Sequence, residues 1–187
     1  SFEKTRERNR WGHVFQEWGG YIFEGGSTFE VGEVARTGEH SMLIAGAVGG
    51  KIRMYSKEVP LEEGRYRLRL YLRGLDVGQG RWRQHITMSA NAAGPKANYF
   101  GLKKPASSFD WTPLVYVFDA PADHKFKLAF GLYGEGYLWV DDISLEKVGP
   151  DVALTPEPVF KGEVKPIEMP GPVPEKPVRC AYCSYRT

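Results

Sequence analysis

Arginine and tyrosine alternate with leucine in the middle of the chain, in a pattern that could bind an acidic ligand. Residues 65–73 read Arg-Tyr-Arg-Leu-Arg-Leu-Tyr-Leu-Arg, and residues 81–90 alternate again after a turn-rich stretch. Such alternation is typical of half-buried strands, so the two segments predict a hairpin. Its exposed face would carry Arg67, Arg69, Tyr71, Arg73, Arg83 and His85. Guanidinium groups bind carboxylates and sulfates in two-point geometry, although a row of arginines is equally typical of a plain solvated strand.

Further side chains could extend this face. If a strand over residues 51–59 buries Ile52 and Met54, then Arg53 and Tyr55 point the same way as the arginines. Aromatic residues in segments predicted as loops would add flat rings, and the candidates are Trp18, Tyr21 and Tyr99. Rings beside polar groups suit a ligand that has both apolar patches and hydroxyl groups.

The two cysteines of the chain, Cys180 and Cys183, are separated by two residues near its end. Alone, this pair is half of a zinc site or a redox pair, because zinc needs four ligands. We assign it no role, and we expect the rest of the chain to fold without disulfides.

Charge is unevenly distributed along the chain. The 187 residues carry 25 Lys and Arg against 23 Asp and Glu, for a formal net charge of +2. Residues 51–104 carry 12 positive and 4 negative side chains, whereas residues 105–150 carry 3 and 7. The overall charge is modest and no nucleic-acid-binding motif occurs, so we predict no nucleic-acid partner. No apolar run approaches the roughly 20 residues of a membrane-spanning helix, so we predict no membrane partner.

Turn residues and strand patterns dominate the rest of the sequence. The chain has 22 Gly and 13 Pro, which favour short strands joined by turns, and no window of eleven or more residues keeps a helical period. We predict an all-β sandwich with further strands at residues 41–45, 51–59, 114–118, 125–133 and 137–147.

Proline marks a change of composition after Gly149. Eight of the 13 prolines follow this residue, at a density that favours an extended, polyproline-like conformation. We therefore predict a β-sandwich domain over residues 1–149 and a Pro-rich tail over residues 150–187. Because tails of this composition usually join domains, a covalently linked domain is expected.

The order of short motifs along residues 1–148 resembles a known family. Phe2-Glu3 stands near the start, residues 37–43 read Thr-Gly-Glu-His-Ser-Met-Leu, and residues 59–68 read Val-Pro-Leu-Glu-Glu-Gly-Arg-Tyr-Arg-Leu. Later, residues 117–121 read Val-Phe-Asp-Ala-Pro, and residues 136–145 read Gly-Tyr-Leu-Trp-Val-Asp-Asp-Ile-Ser-Leu. This series resembles the carbohydrate-binding modules of families 4, 9 and 22, which are jelly rolls attached to xylanases, glucanases and related enzymes.

The resemblance implies a structural calcium ion. Carried over by position, its ligands would be the side chains of Glu3 and Asp141, with the loop around Glu39 completing the shell through carbonyl groups. Oxygen ligands from the first and last strands suit a hard cation. The residues alone leave a second interpretation open, in which Asp141 and Asp142 simply cap the end of a strand.

The resemblance also implies non-catalytic binding of a polysaccharide by a module of a secreted or cell-surface enzyme. It places Trp111 and Trp139 in the core and Tyr99 near the ligand, and it leaves open whether the polysaccharide is neutral or anionic. As an alternative, Arg83, His85 and Tyr99 could serve a polysaccharide lyase. A glycoside hydrolase would need two carboxylates, and no spacing singles out such a pair. A structural module without a ligand is the second alternative.

Overall fold

The computed structural model describes residues 17–78, 85–90, 98–165 and 167, with backbone alone for His85 and Asn98. The described residues contain no helix, and therefore none that is long and apolar enough to cross a membrane. Their strands, in chain order, are β1 (Trp18–Glu24), β2 (Thr28–Gly32), β3 (Ser41–Gly46), β4 (Lys51–Ser56), β5 (Val59–Leu61), β6 (Gly64–Leu75), β7 (His85–Ala90), β8 (Asn98–Gly101), β9 (Phe109–Ala120), β10 (His124–Phe126), β11 (Leu128–Tyr133), β12 (Gly136–Val148) and β13 (Val159–Phe160).

Two antiparallel sheets pack face to face. One has five strands in the order β1-β4-β11-β7-β8, and the other has six in the order β13-β9-β6-β12-β3-β2. Strands β5 and β10 form a separate antiparallel pair. The predicted fold class, an all-β sandwich of the jelly-roll type, is confirmed.

The core lies between the two sheets and is built from alternate residues of each strand. From β6, Tyr66, Leu68, Leu70 and Leu72 enter this core, as the alternation predicted. The five-stranded sheet contributes Ile52, Met54, Ile86, Met88, Phe130 and Leu132. Because side chains alternate across a strand, the residues between these core positions form the outer faces of the sandwich.

The predicted hairpin between residues 65–73 and 81–90 is wrong. Strand β6 pairs with β9 and β12 in the six-stranded sheet, whereas β7 pairs with β11 and β8 in the five-stranded sheet. The outward faces of β6 and β7 therefore lie on opposite sides of the sandwich. Alternation fixes which face of a strand is buried, but it does not choose the sheet to which the strand belongs.

At a bulge in strand β12, the alternation of side chains between the two faces of the sheet shifts by one residue. Its pairing with β6 shifts between Asp141 and Ser144, and Asp142 has a left-handed backbone with φ of 47°. An extra residue of this kind moves the side chains that follow it to the other face. Ile143 therefore packs against the main core, whereas strict alternation along β12 would place it on the same face as Trp139.

Trp139 is buried, as predicted, but it does not lie between the sheets. It forms a second apolar cluster with Leu43 and Leu75 on the outer face of the six-stranded sheet. Trp111, also predicted in the core, is partly buried against this cluster together with Tyr137. Side chains of this sheet thus bury part of its outer face.

The segment after β12 runs along the six-stranded sheet. Strand β13 pairs with β9, and the backbone N–H of Val117 donates to the Thr155 hydroxyl at 2.7 Å. Ile167 packs on the cluster around Trp139. We call residues 150–165 the strap. The strap contains turns and bends besides β13, and it contacts β9 through β13 and Thr155.

Candidate functional site

The outer face of the five-stranded sheet gathers four of the predicted ligand residues. Ile52 and Met54 are buried, so Arg53 and Tyr55 face outward from β4, as the sequence predicted. Tyr21 lies directly opposite Arg53 on the neighbouring strand β1. On β8, Phe100 packs against the core, which leaves the preceding residue facing outward. The four residues are Tyr21, Arg53, Tyr55 and Tyr99.

Small side chains form the middle of this face. Ala129 and Gly131 face outward from the central strand β11, and Ser89 and Thr87 lie directly opposite them on β7. Larger side chains stand on either side and cover these four residues, which are all buried; we call this face the groove and the four residues its floor. Sequence reasoning missed the floor, although residues 128–133 alternate large and small side chains as Leu-Ala-Phe-Gly-Leu-Tyr.

Aromatic rings stand at both edges of the groove. Tyr21 is 58% exposed on β1, and Tyr99 is 48% exposed on β8. The ring of Phe23 contacts that of Tyr21 edge-on, with centroids 4.6 Å apart. Four strand spacings separate β1 from β8, which corresponds to roughly 19 Å. The groove therefore suits an elongated ligand that meets a ring at each end.

Arg53 lies across the floor of the groove. Its guanidinium carbon is 4.6 Å from the centroid of the Tyr99 ring, on the far side of the floor. A methyl group at Gly131 would lie 3.1 Å from Cγ of Arg53 and 2.1 Å from the carbonyl oxygen of Ile52. Glycine at this position therefore allows both the close strand packing and the path of the arginine.

Two buried polar atoms in the groove lack a hydrogen-bond partner among the described residues, namely Nε of Arg53 and Oγ1 of Thr87. The Thr87 hydroxyl approaches Tyr99 but makes no hydrogen bond of normal geometry with it. Within the same part of the chain, Arg53 also has no ion pair. An unsatisfied buried polar group costs about 1–3 kcal/mol, so a polar ligand here would supply missing hydrogen bonds.

Tyr99 and Tyr133 are linked through their hydroxyl groups. Burial raises the pKa of the Tyr99 hydroxyl, and the hydrogen bond with Tyr133 raises it further, while the positive charge of Arg53 has a smaller opposing effect. The neutral phenol is therefore the form that the groove favours. It keeps both a donor and an acceptor at this edge of the groove.

Three of the predicted ligand residues lie on the opposite side of the sandwich. Arg69, Tyr71 and Arg73 face outward from β6 in the six-stranded sheet. The guanidinium of Arg36 covers the Tyr71 ring at 3.6 Å, and Arg73 is only 8% exposed beside the ring of Trp139. These residues cannot contact a ligand in the groove.

The remaining predicted ligand residues do not contribute to the described groove. Trp18 belongs to the core, where its ring packs on Phe130 with centroids 5.2 Å apart, so its assignment to a ligand site is wrong. It begins β1 instead of lying in a loop, and its position faces inward. Arg83 and the side chain of His85 lie outside the described residues.

The carboxylate predicted to bind calcium already has partners. Asp141 is buried, and it accepts the backbone N–H groups of Arg36 at 2.9 Å, Thr37 at 3.4 Å and Asp142 at 2.7 Å. The guanidinium of Arg36 pairs with Asp142 next to it. N–H donors and a positive charge satisfy these carboxylates without a cation.

The other predicted calcium ligands do not complete a site within the described residues. Glu39 is exposed, and Glu3 lies outside that part of the chain, as do Cys180 and Cys183. The described residues contain no group of three or more His, Cys, Asp or Glu side chains that could hold a metal ion. Of the ligands that the family resemblance implies, the described part of the chain contains the Asp141 side chain and the loop around Glu39, whereas Glu3 lies outside it.

Carboxylates stand only at the ends of the described groove. Glu17 precedes β1 and pairs with Lys57 at 3.1 Å, and Glu24, the last residue of β1, pairs with Lys51 at 2.9 Å. Seven residues of extended chain separate the two carboxylates by roughly 23 Å. A glycoside hydrolase needs two carboxylates about 5–10 Å apart across a cleft, and the described groove does not provide them.

Comparison with solved structures shows a shared fold at low sequence identity. No protein-family model and no curated protein matches the chain. Among solved structures, the family 61 carbohydrate-binding module TmCBM61 in complex with β-1,4-galactotriose has a TM-score of 0.50 and 14% identity. The chain covers 90% of that module with 72% of its own length.

Two larger solved structures contain the same fold. The CBM22-1–GH10 fragment of Clostridium thermocellum endo-1,4-β-D-xylanase 10B, complexed with xylohexaose, has a TM-score of 0.51 and 16% identity over 81% of the chain. The enzymatically active domain of tailspike protein 4 of bacteriophage CBA120 has a TM-score of 0.56 and 12% identity over 71% of the chain. The chain spans 29% of the xylanase fragment and 20% of the tailspike domain. At these identities the likeness concerns the fold.

Proposed function

We propose that this chain, whose fold is the β-sandwich of carbohydrate-binding modules, binds a polysaccharide non-catalytically in the groove of its five-stranded sheet. The observation that carries the proposal is the pair of exposed rings, Tyr21 and Tyr99, on either side of a small and partly polar floor. Sugar rings stack on aromatic faces through their C–H bonds, and hydroxyl groups such as that of Thr87 bind their oxygens. A module of the same fold was solved with β-1,4-galactotriose, and a two-module fragment that contains this fold was solved with xylohexaose, which supports a sugar chain as ligand.

The proposal extends to a polysaccharide that carries acidic groups. Arg53 stands in the middle of the groove without an ion pair among the described residues, and Nζ of Lys127 lies 5.6 Å from the centroid of the Tyr55 ring. Guanidinium and ammonium groups bind carboxylates and sulfates through charge-assisted hydrogen bonds. The support comes from these groups and no longer from the arginines of β6, which face away from the groove.

A covalently linked glycan-active enzyme and a secreted or cell-surface location complete the proposal. The solved xylanase fragment joins a module of this fold to a catalytic module in one chain. A module of this kind would hold its linked enzyme close to the polysaccharide and so raise the local substrate concentration.

The test is a binding screen by affinity electrophoresis and calorimetry at two salt concentrations. The panel includes neutral polymers such as galactan and xylan, and acidic polymers such as polygalacturonate and alginate. We expect binding to acidic polymers that weakens as salt rises, because ion pairs are screened. Tyr21→Ala and Tyr99→Ala should each weaken binding about tenfold, the scale of a lost stacking contact.

The matched control is Tyr71→Ala, which removes a tyrosine from the opposite sheet. We expect it to leave binding unchanged. Loss of binding in Tyr71→Ala, with full binding in Tyr21→Ala and Tyr99→Ala, would move the site to the six-stranded sheet. New reducing ends or unsaturated products in the same incubations would instead show a hydrolase or a lyase. The absence of binding to every polymer would leave a structural module as the better interpretation.

A further inference from the structure

Arg53 covers the side of the Tyr99 ring that faces the groove. The guanidinium reaches Tyr99 from β4, which lies across the floor from β8, so it approaches the ring from the groove side. Tyr21 at the other edge has no cation over its ring among the described residues. The two rings therefore differ: among the described residues the Tyr21 ring has no cation over it, whereas the guanidinium of Arg53 covers one face of the Tyr99 ring.

A sugar that stacks on Tyr99 has to displace the guanidinium first. A cation over an aromatic ring at a partly exposed site contributes about two- to fivefold in an equilibrium constant. A neutral sugar would lose this contribution, because it replaces the cation on the ring without offering the guanidinium an anion. A sugar with an acidic group can bind the displaced guanidinium and recover the loss.

We propose that Arg53 determines the specificity of the groove, because it keeps neutral sugars off Tyr99 and admits sugars that carry a carboxylate or a sulfate. The inference rests on the proposed function, since it requires a glycan in this groove. It goes further in assigning to one residue both the attraction of acidic sugars and the exclusion of neutral ones.

The surroundings of Arg53 are suited to this role. Its Nε and the hydroxyl of Thr87 are both buried without a hydrogen-bond partner among the described residues, and only Gly131 separates the two residues across the sheet. The displaced guanidinium can satisfy its buried Nε with the oxygens of an acidic group, and an acceptor with several oxygens suits the two-point geometry of a guanidinium.

The test compares the unmodified protein with Arg53→Met on matched polymers. Polygalacturonate, alginate and glucuronoxylan are each paired with the same polymer after chemical reduction of its carboxyl groups to alcohols. Arg53→Met should lower the affinity for the acidic polymers about tenfold, as expected for the loss of charge-assisted hydrogen bonds. It should raise the affinity for the reduced polymers about two- to fivefold, because Tyr99 is then uncovered.

Two further variants make the result specific. Arg69→Met removes an arginine from the opposite sheet and should change neither affinity. Arg53→Lys keeps the charge without the planar group, so it should retain part of the acidic binding. Thermal unfolding of each variant shows that it is folded.

The inference and the proposed function can fail separately. If Arg53→Met binds reduced polymers no better than the unmodified protein while Tyr99→Ala weakens binding, the groove binds glycans but Arg53 does not cover the ring, and the inference is overturned. If neither the unmodified protein nor any folded variant binds any polymer, the proposed function fails and the inference fails with it.

Discussion

Arg65 holds Asp119, its direct partner across β6 and β9, through two nitrogen atoms. Nε lies 2.8 Å from Oδ1 and Nη2 lies 3.1 Å from Oδ2, and this hydrogen bonding lowers the pKa of the Asp119 carboxyl. Arg67 and Glu146, also directly opposite each other, are joined at 3.1 Å across β6 and β12. The basic residues of the middle segment thus pair in space with acidic residues of segment 105–150, in the cross-strand positions that favour opposite charges.

The first prediction concerns the second role of Arg65, which is to hold the strap. Its Nη1 donates to the carbonyl oxygens of Pro150 at 2.6 Å and Val152 at 2.7 Å. We expect Arg65→Met to increase hydrogen exchange of residues 150–155 on the order of tenfold, because the start of the strap loses its side-chain anchor. Hydrogen exchange measured by mass spectrometry provides the readout.

Arg67→Met is the matched control for this prediction. Arg67 occupies the same face of β6 and pairs with Glu146, but no contact with the strap is seen for it in the described residues. It should leave exchange of the strap unchanged. Equal exchange of residues 150–155 in the two variants would show that Arg65 does not anchor the strap.

The second prediction concerns the stability of the loop between β2 and β3. Asp141 accepts the N–H groups of Arg36 and Thr37 from this loop and that of Asp142 from its own strand. Asp141→Asn replaces one accepting oxygen by an NH₂ group and leaves a buried N–H without a partner. We expect a loss of about 1–3 kcal/mol in the free energy of unfolding, measured by urea denaturation.

The neighbouring carboxylate offers the control. Asp142 is more exposed and pairs with side chains of Arg36 and Thr37, so Asp142→Asn should cost less than about 1 kcal/mol. Asparagine also tolerates the left-handed backbone at this position. An equal loss in the two variants would contradict a special role for the buried carboxylate.

The third prediction concerns calcium, which the family resemblance implies. Because the Asp141 carboxylate is already satisfied by N–H donors, we expect a calcium chelator to leave the melting temperature unchanged. The measurement is thermal unfolding with added calcium and with chelator. A melting temperature that rises with calcium, and no longer does so in Asp141→Asn, would establish the site and assign a ligand to it.

The sequence predicts the inward faces of the strands better than their partners. The alternation at residues 65–73 and the i, i+2 spacing of Ile52 and Met54 on β4 identify core residues correctly. Burial of apolar side chains on one face is a local property of each strand. The hairpin prediction fails because β6 and β7 both have an apolar inner face, and a strand with such a face can belong to either of the two sheets. Partner choice depends on the whole topology, which no local pattern contains.

The candidate groove shows the same limit. Arg53, Tyr21 and Tyr99 were identified as residue types that bind ligands, but their proximity results from the strand order β1-β4-β11-β7-β8. Gly131 could be recognised only after its place beneath Arg53 was known. Single residues that are small in order to make room for others carry no chemical signal of their own.

The fourth prediction concerns the titration of Tyr99. Burial and the hydrogen bond with Tyr133 raise the pKa of Tyr99 in the folded protein, so folding favours its neutral form. The resulting stabilisation is present below the pKa of an unfolded tyrosine, about 10, and is lost as the pH rises through the higher pKa of the folded state. An ultraviolet difference titration between the unmodified protein and Tyr99→Phe isolates this group among the 10 tyrosines.

Tyr133→Phe should move the Tyr99 titration toward lower pH without restoring it fully, because burial remains. A Tyr99 titration that is unchanged in Tyr133→Phe would show that the two hydroxyl groups are not linked in solution, and the edge of the groove would then owe its raised pKa to burial alone.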